Sequence, residues 1–225
     1  LTGLRQHTGN WPGKTVVRAE GGFAYAGDRY KLVDLPGTYS LLSTSDDEEV
    51  ARDFILFGSP DVTIVVVDST VLERNLNLVL QVLEITERAV ICLNLMDEVK
   101  CRGMEVDDRR LARDLGVPVV PTVARRNEGI PELLQAVADV AAGRVACKPY
   151  RIELPPGLKD ALGELTEEVT TAFPGLRNAR WVALRLLEGD PRIVEAVRSG
   201  EIAGLGRHLS TQPSSDPVHA LQEVS

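Results

Sequence analysis

The sequence predicts an α/β fold: a doubly wound, mostly parallel sheet followed by a small helical domain. Short apolar runs without polar alternation recur through the first half, as strands buried on both faces require. Amphipathic stretches of helical period separate them, the alternation expected of crossover-connected parallel strands. Beyond Gly143 the apolar runs stop and only helical periods continue.

The predicted strands are 30–35 (YKLVDL), 62–68 (VTIVVVD), 89–94 (AVICLN) and 117–122 (VPVVPT). Between them, 73–85 reads as a helix with Leu76, Leu80 and Leu83 on one face. Residues 109–116 form a second helix, closed by Gly116 as its C-cap. Residues 130–143 form a third, with Pro131 in its first turn and Gly143 as its stop. The Pro-rich stretch 148–157 is a linker. Helical periods then cover 158–173, 179–190 and 190–200, and 210–217 is a polar loop. The expected organisation is a first domain over 1–146, a helical domain over 147–212 and a tail or linker over 213–225.

Composition excludes several classes. Of 225 residues, 44% are apolar, enough for a core that Leu, Val, Ile and Ala must fill because aromatics make up only 4%. A formal net charge of -8 argues against a general nucleic-acid binder, which shows a basic face. Cys92, Cys101 and Cys147 are too few and too scattered for a disulfide frame or a zinc site, and fit a reducing compartment. His7, His208 and His219 lie far apart. No apolar run approaches the ~20 residues that cross a bilayer, and no secretory signal is visible.

The predicted strand ends carry the chemistry, since ligands of open α/β sheets collect at carboxyl ends. Asp34 ends the first predicted strand and is followed by Leu35, Pro36 and Gly37. A carboxylate there can hold Mg²⁺ through water, and Gly37 lets a backbone N–H approach a terminal phosphate. The plain alternative is a strand end and a turn. Asn94, Leu95, Met96 and Asp97 follow another buried strand. Asn94 can tie neighbouring loops and touch purine N7. Asp97 can accept from the N1–H and exocyclic amine of guanine, a donor pair that adenine lacks. In 121–129 (PTVARRNEG), after Val123, the Ala124 N–H can reach guanine O6; the alternative is a plain connection with Arg125 and Arg126 solvated. Upstream, 9–17 (GNWPGKTVV) reads as a loop. Its Gly13, Lys14, Thr15, Val16 and Val17 are candidates for nucleotide contact. Thr15 can place its hydroxyl on Mg²⁺ and its N–H on a γ-phosphate, as in nucleotide switches. A hairpin lead-in is the alternative.

Together, GNWPGKTV, LVDLPGTYSL, VVDSTVLERNLNLVLQVLE, CLNLMD and RWVALRLLEGD resemble the N-terminal cytosolic GTPase region of FeoB-type ferrous iron transporters, from about Leu1 to Gly189. The resemblance implies a P-loop GTPase fold with a helical domain, GTP/GDP binding, slow GTP hydrolysis, Mg²⁺ and, as a further candidate, K⁺. It implies control of Fe²⁺ passage through a membrane permease part of the same polypeptide, at the cytoplasmic face of the bacterial inner membrane. Oligomers are compatible with it, and no nucleic-acid partner is expected. Thr15 and Gly37 are the residues it places nearest hydrolysis.

Three departures accompany the resemblance. No G-x-x-x-x-G-K-[ST] run occurs, so the first strand and phosphate loop are expected to be missing from this sequence and nucleotide handling to be impaired. Two buried strands would then lose a shared neighbour, and the sheet would show a gap or altered pairing, with poor stability. Val123 stands where a serine often precedes the alanine of the guanine loop. Thr38 follows Gly37 where many small GTPases carry a water-positioning glutamine. The alternatives are a soluble GTPase of ribosome assembly or RNA modification, and a non-catalytic interaction domain.

Overall fold

The computed structural model describes residues 7–11, 17–41, 45–58, 60–151, 153–176, 178–202 and 218–224. Two compact units emerge. The first comprises 1–52, 60–150 and 214–225; the second comprises 53–59 and 151–213. The boundary expected at 146/147 thus falls after Tyr150, and 214–225 joins the first unit instead of forming a tail.

In chain order the first unit carries strands β1 (His7–Asn10), β2 (Val17–Tyr25) and β3 (Asp28–Asp34), then helix α1 (Asp46–Phe57), whose later turns belong to the second unit. It continues with β4 (Val62–Asp68), α2 (Leu72–Ile85), β5 (Ala89–Asn94), α3 (Met96–Cys101), α4 (Asp108–Leu115), β6 (Val119–Pro121) and α5 (Ile130–Ala141). The second unit adds α6 (Pro156–Ala172), α7 (Ala179–Leu187) and α8 (Pro191–Arg198). Strand β7 (Val218–Val224) returns to the first unit. Among the described residues no helix is long and apolar enough to cross a membrane.

The sheet order is β1-β2-β3-β7-β4-β5-β6. Strands β1, β2 and β3 are antiparallel, whereas β3, β7, β4, β5 and β6 run parallel. A two-residue turn at Ala26 (φ 52°) and Gly27 (φ 92°) joins β2 to β3, the left-handed pair that twisted hairpins favour. Phe23 stacks on its cross-strand partner Tyr30 with ring centroids 5.1 Å apart. Asn10 pairs with Val17, so the ends of the stretch read as a loop over 9–17 are strand, as the hairpin alternative has it.

The core follows from the apolar runs. Val62 and Ile64 of β4 and Val90 and Cys92 of β5 cluster with Leu133, Val137 and Val140 of α5. Strand alternation turns Val65, Val67, Ile91 and Leu93, all buried, to the opposite face. Helix α2 packs on β4 and β5 through a face of Leu78, Val79, Val82 and Leu83. This corrects the expected stripe: Leu76 and Leu80 are only half-buried, because Leu occupies positions all round this helix and the period alone does not choose a face.

Strand β7 occupies the centre of the sheet, pairing Leu32 and Val62 with Leu221 from its two sides. The sequence predicts a gap or altered pairing between the strands ending at Asp34 and Asp68, and a tail over 213–225. The pairing is altered there, by the segment read as tail. Burying a row of backbone donors and acceptors is what drives an extended segment into such a slot.

In the second unit, α7 buries Trp181, Val182 and Ala183, and α8 buries Ile193 and Ala196. Asp190 caps α8, its Oδ1 accepting from the N–H groups of Arg192 (3.0 Å) and Ile193 (3.2 Å). The Asn178 amide donates to the Leu56 carbonyl (2.8 Å), near the end of α1.

Gly116 is the expected C-cap of α4, at φ 72°. A Cβ there would lie 1.8 Å from the Lys148 carbonyl oxygen. That backbone is held in place by Lys148 N–H to Gly116 O (2.8 Å) and Tyr150 N–H to Leu115 O (3.0 Å). Gly116→Ala is therefore expected to lower stability by about 1–3 kcal/mol from backbone strain, with the clash adding to it. A lowered urea midpoint at unchanged slope would register this.

Candidate functional site at the carboxyl edge of the sheet

Parallel pairing brings the carboxyl ends of β3, β4, β5 and β6 to one edge. Asp34 ends β3 and Asn94 ends β5, with β7 and β4 between them. The register staggers them: Asp34 is level with Glu223 of β7, Ile64 of β4 and Val90 of β5, four residues short of Asn94. Three strand spacings of about 4.8 Å across and four residues of about 3.3 Å along separate the two tips by roughly 20 Å. Asp97 lies three residues past Asn94, in the first turn of α3. Asp34, Asn94 and Asp97 thus lie toward the same end of the parallel strands, at different heights.

The turn after β5 depends on Leu95, whose φ of 64° is uncommon for a side chain of this size. It turns the strand at once into α3 and sets Asp97 at the start of the helix. Met96 N–H donates to Thr122 O (3.2 Å) and Thr122 N–H to Leu93 O (2.7 Å), joining this turn to the loop after β6. Asn94 completes the join: its Oδ1 accepts from Ala124 N–H at 3.1 Å and from the Thr122 hydroxyl at 3.4 Å. The loop-tying role expected of Asn94 is present. The Ala124 N–H expected to reach guanine O6 is directed at Asn94. Val123 is buried and pairs with Glu128 across the loop.

Asn94→Ala removes an acceptor shared by two donors. The Ala124 N–H is exposed and the Thr122 hydroxyl keeps the Leu93 carbonyl (3.3 Å) as acceptor, so the expected cost is that of one lost hydrogen bond, about 0.5–1.5 kcal/mol. Faster amide exchange at Ala124 would report the freed loop.

Arg125 and Arg126, read as solvated in the alternative, both face Asp97. Nη2 of Arg125 donates to Asp97 Oδ2, and Nη2 of Arg126 lies 3.7 Å from the same oxygen. The Arg125 hydrogen bond holds the Asp97 carboxyl below the usual carboxylate range, against the opposing effect of desolvation. The link joins residues 28 apart and has no local signal in the sequence.

At the other tip, Leu35 is buried and contributes backbone only, while Pro36 is half-buried and Gly37 exposed. Asp34 itself is exposed at the strand end, and the partial desolvation there shifts its carboxyl upward from the usual range. A nearby cation would offset that penalty, so the donor fits a magnesium ligand acting through water. Among the described residues no group of three or more His, Cys, Asp or Glu side chains could hold a metal alone. Phosphate oxygens would have to complete such a site. Gly13, Lys14, Thr15 and Val16 lie outside the described residues; Val17 begins β2 and is 61% exposed.

Sequence reasoning missed the supports of the segment after Gly37. Gln81 Oε1 accepts from Leu41 N–H (2.6 Å) and the Ser40 hydroxyl (3.2 Å). Arg74 lies over the Tyr39 ring at 4.1 Å. Both supports come from α2; Gln81, a polar residue inside the apolar run LVLQVL, was the available signal. The Asn75 amide donates to the carbonyls of Asp68 (3.3 Å) and Val71 (3.2 Å). Asp68 itself is used as a cap, Oδ1 accepting from Thr70 N–H at 2.8 Å.

Comparison with known proteins agrees with this arrangement. The family model described as ferrous iron transport protein B matches residues 1–137, and that of the FeoB cytosolic helical domain matches 155–213. The Fe(2+) transporter FeoB of Salmonella choleraesuis (strain SC-B67) is 42% identical over 208 residues, 90% of this chain and 26% of that protein. The cytosolic domain of T. maritima FeoB, solved in a GDP form, superposes with a TM-score of 0.77 at 35% identity, covering 92% of this chain and 78% of that one. The cytosolic domain of L. pneumophila FeoB gives 0.77 at 33% identity, covering 94% and 82%. The chain spans about a quarter of the length of the curated relatives it matches. By these matches, and by a GTPase-type sheet followed by a helical unit, the chain belongs to the FeoB ferrous iron transport protein family.

Proposed function

We propose that the chain is the GTP-binding and GTP-hydrolysing regulatory region of a ferrous iron transporter. It couples nucleotide state to Fe²⁺ passage through a membrane permease part of the same polypeptide, at the cytoplasmic face of the bacterial inner membrane. The observation that supports this reading is that the strands ending at Asp34 and at Asn94 run parallel in one sheet, so that both tips point to its carboxyl side.

In this reading Asp97 accepts the N1–H and amine of guanine, and Asn94 holds the Ala124 loop against the base. Asp34, through water, and the Thr15 hydroxyl would hold Mg²⁺, which would supply charge neutralisation to the phosphates. The Gly37 N–H approaches the terminal phosphate. Thr38 is buried, with its hydroxyl directed to the Ser40 carbonyl (2.5 Å) and to Glu48 (3.2 Å), so it has no reach toward an attacking water. Orientation of that water falls to backbone groups or to Thr15, and hydrolysis is slow. The GDP form of the T. maritima relative supports the choice of nucleotide.

Displacement of a fluorescent GDP analogue by GDP, GTP and ATP tests the reading. Guanine nucleotides are expected to displace it at lower concentration than ATP. Equal displacement by ATP would end the proposal.

A further inference from the structure

The two carboxylate oxygens of Asp97 are in unlike situations. Oδ2 takes the Arg125 hydrogen bond. Oδ1 is buried with no hydrogen-bond partner. A buried acceptor left unpaired is costly, so Oδ1 marks where a donor belongs. Guanidinium and the N1–H/2-amino edge of guanine are the same kind of donor, planar with two parallel N–H groups that match a carboxylate. Arg125 therefore holds half of the acceptor that guanine needs. An exit stands beside it: Arg125 Nη1 lies 3.8 Å from Glu98 Oε1. The Arg125 side chain is 57% exposed while that of Asp97 is 10% exposed, so the arginine is the partner free to swing.

We propose that Arg125 competes with the base edge and thereby sets the purine selectivity of this site. This rests on the guanine-binding reading above. Oδ2 can accept two donors, so the 2-amino group of guanine must share Oδ2 with Arg125 or displace the arginine toward Glu98, and either weakens its bond. Hypoxanthine has the N1–H but no 2-amino group, so it uses Oδ1 alone and leaves Arg125 on Oδ2. The arginine thus taxes guanine and spares hypoxanthine, narrowing the preference between them.

Titration of the full chain with GDP, IDP and ADP, for the wild type and for Arg125→Ala and Arg125→Lys, tests this. In Arg125→Ala the GDP-over-IDP affinity ratio is expected to rise about two- to fivefold, the range an exposed ion pair supports. Binding of IDP itself should stay put. Arg125→Lys keeps a cation on Asp97 and should leave the ratio near the wild-type value. A purely structural role for Arg125 would move GDP and IDP together, and that outcome, or an unchanged ratio, overturns the proposal. Wild-type protein binding GDP no better than ADP would instead overturn the guanine reading beneath it.

Discussion

Asp97→Asn is expected to turn the base preference from guanine to xanthine. The carboxylate offers two acceptors, and guanine presents two donors. Asparagine replaces one acceptor with an NH₂ group, which meets the 2-amino group of guanine donor to donor. Xanthine carries a carbonyl at that position and accepts from the new amide while its N1–H still donates to the remaining oxygen. A site built to bond a donor rejects a base that mismatches it by roughly a hundredfold or more. Affinity for GDP should fall by that order and affinity for XDP should rise, read in one competition titration. The Asp97 side chain is only 10% exposed, so little water is at hand to rescue the mismatch. The substitution also removes the charge facing Arg125 and Arg126. Loss of nucleotide binding without any gain for xanthine would mean that the carboxylate holds the two loops together and does not read the base.

Much of this site was legible because its parts are local. An acid or amide at the end of a β-branched run is a strand tip whichever way the chain folds, and parallel pairing brings all such tips to one edge. The runs at 62–68 and 89–94 match β4 and β5 residue for residue, since strands buried on both faces leave no polar ambiguity. Helix α1 went unread although Ser45 and Glu48 form a capping pattern before Val50, Ala51 and Phe54; the Glu48 N–H donates to the Ser45 hydroxyl at 3.3 Å. What composition and spacing could not show were contacts made at a distance. Arg125 has the look of a solvated loop cation until α3 supplies Asp97 and Glu98. Strand β7 follows a Pro- and Ser-rich stretch, and its seven residues, VHALQEV, carry no continuous apolar run of the kind that marks β4 and β5. Only the open slot between β3 and β4 makes it a strand.

That slot makes β7 the element on which the first unit most depends. Every residue from Val218 to Glu223 has a partner in β3, and Leu221 to Val224 have partners in β4 as well. Leu221→Pro would remove one donor from the middle of this double ladder and force the chain out of line. The expected loss is about 2–4 kcal/mol, from the bond itself and the acceptor left buried without a partner. The effect should appear as a lowered urea midpoint, with accelerated amide exchange concentrated in β3 and β4. Ending the chain before Val218 is the harsher version. It leaves two facing edges inside one sheet, each with unpaired N–H and C=O groups beside buried side chains such as Leu32 and Ile64. Open, apolar edges pair with other chains, so the shortened protein should lose its cooperative transition and aggregate. Adding a peptide of residues 216–225 should restore solubility in proportion to its concentration, since the slot binds a strand whether or not it is tethered. A shortened chain that unfolds cooperatively at the same midpoint would show that the sheet closes without β7.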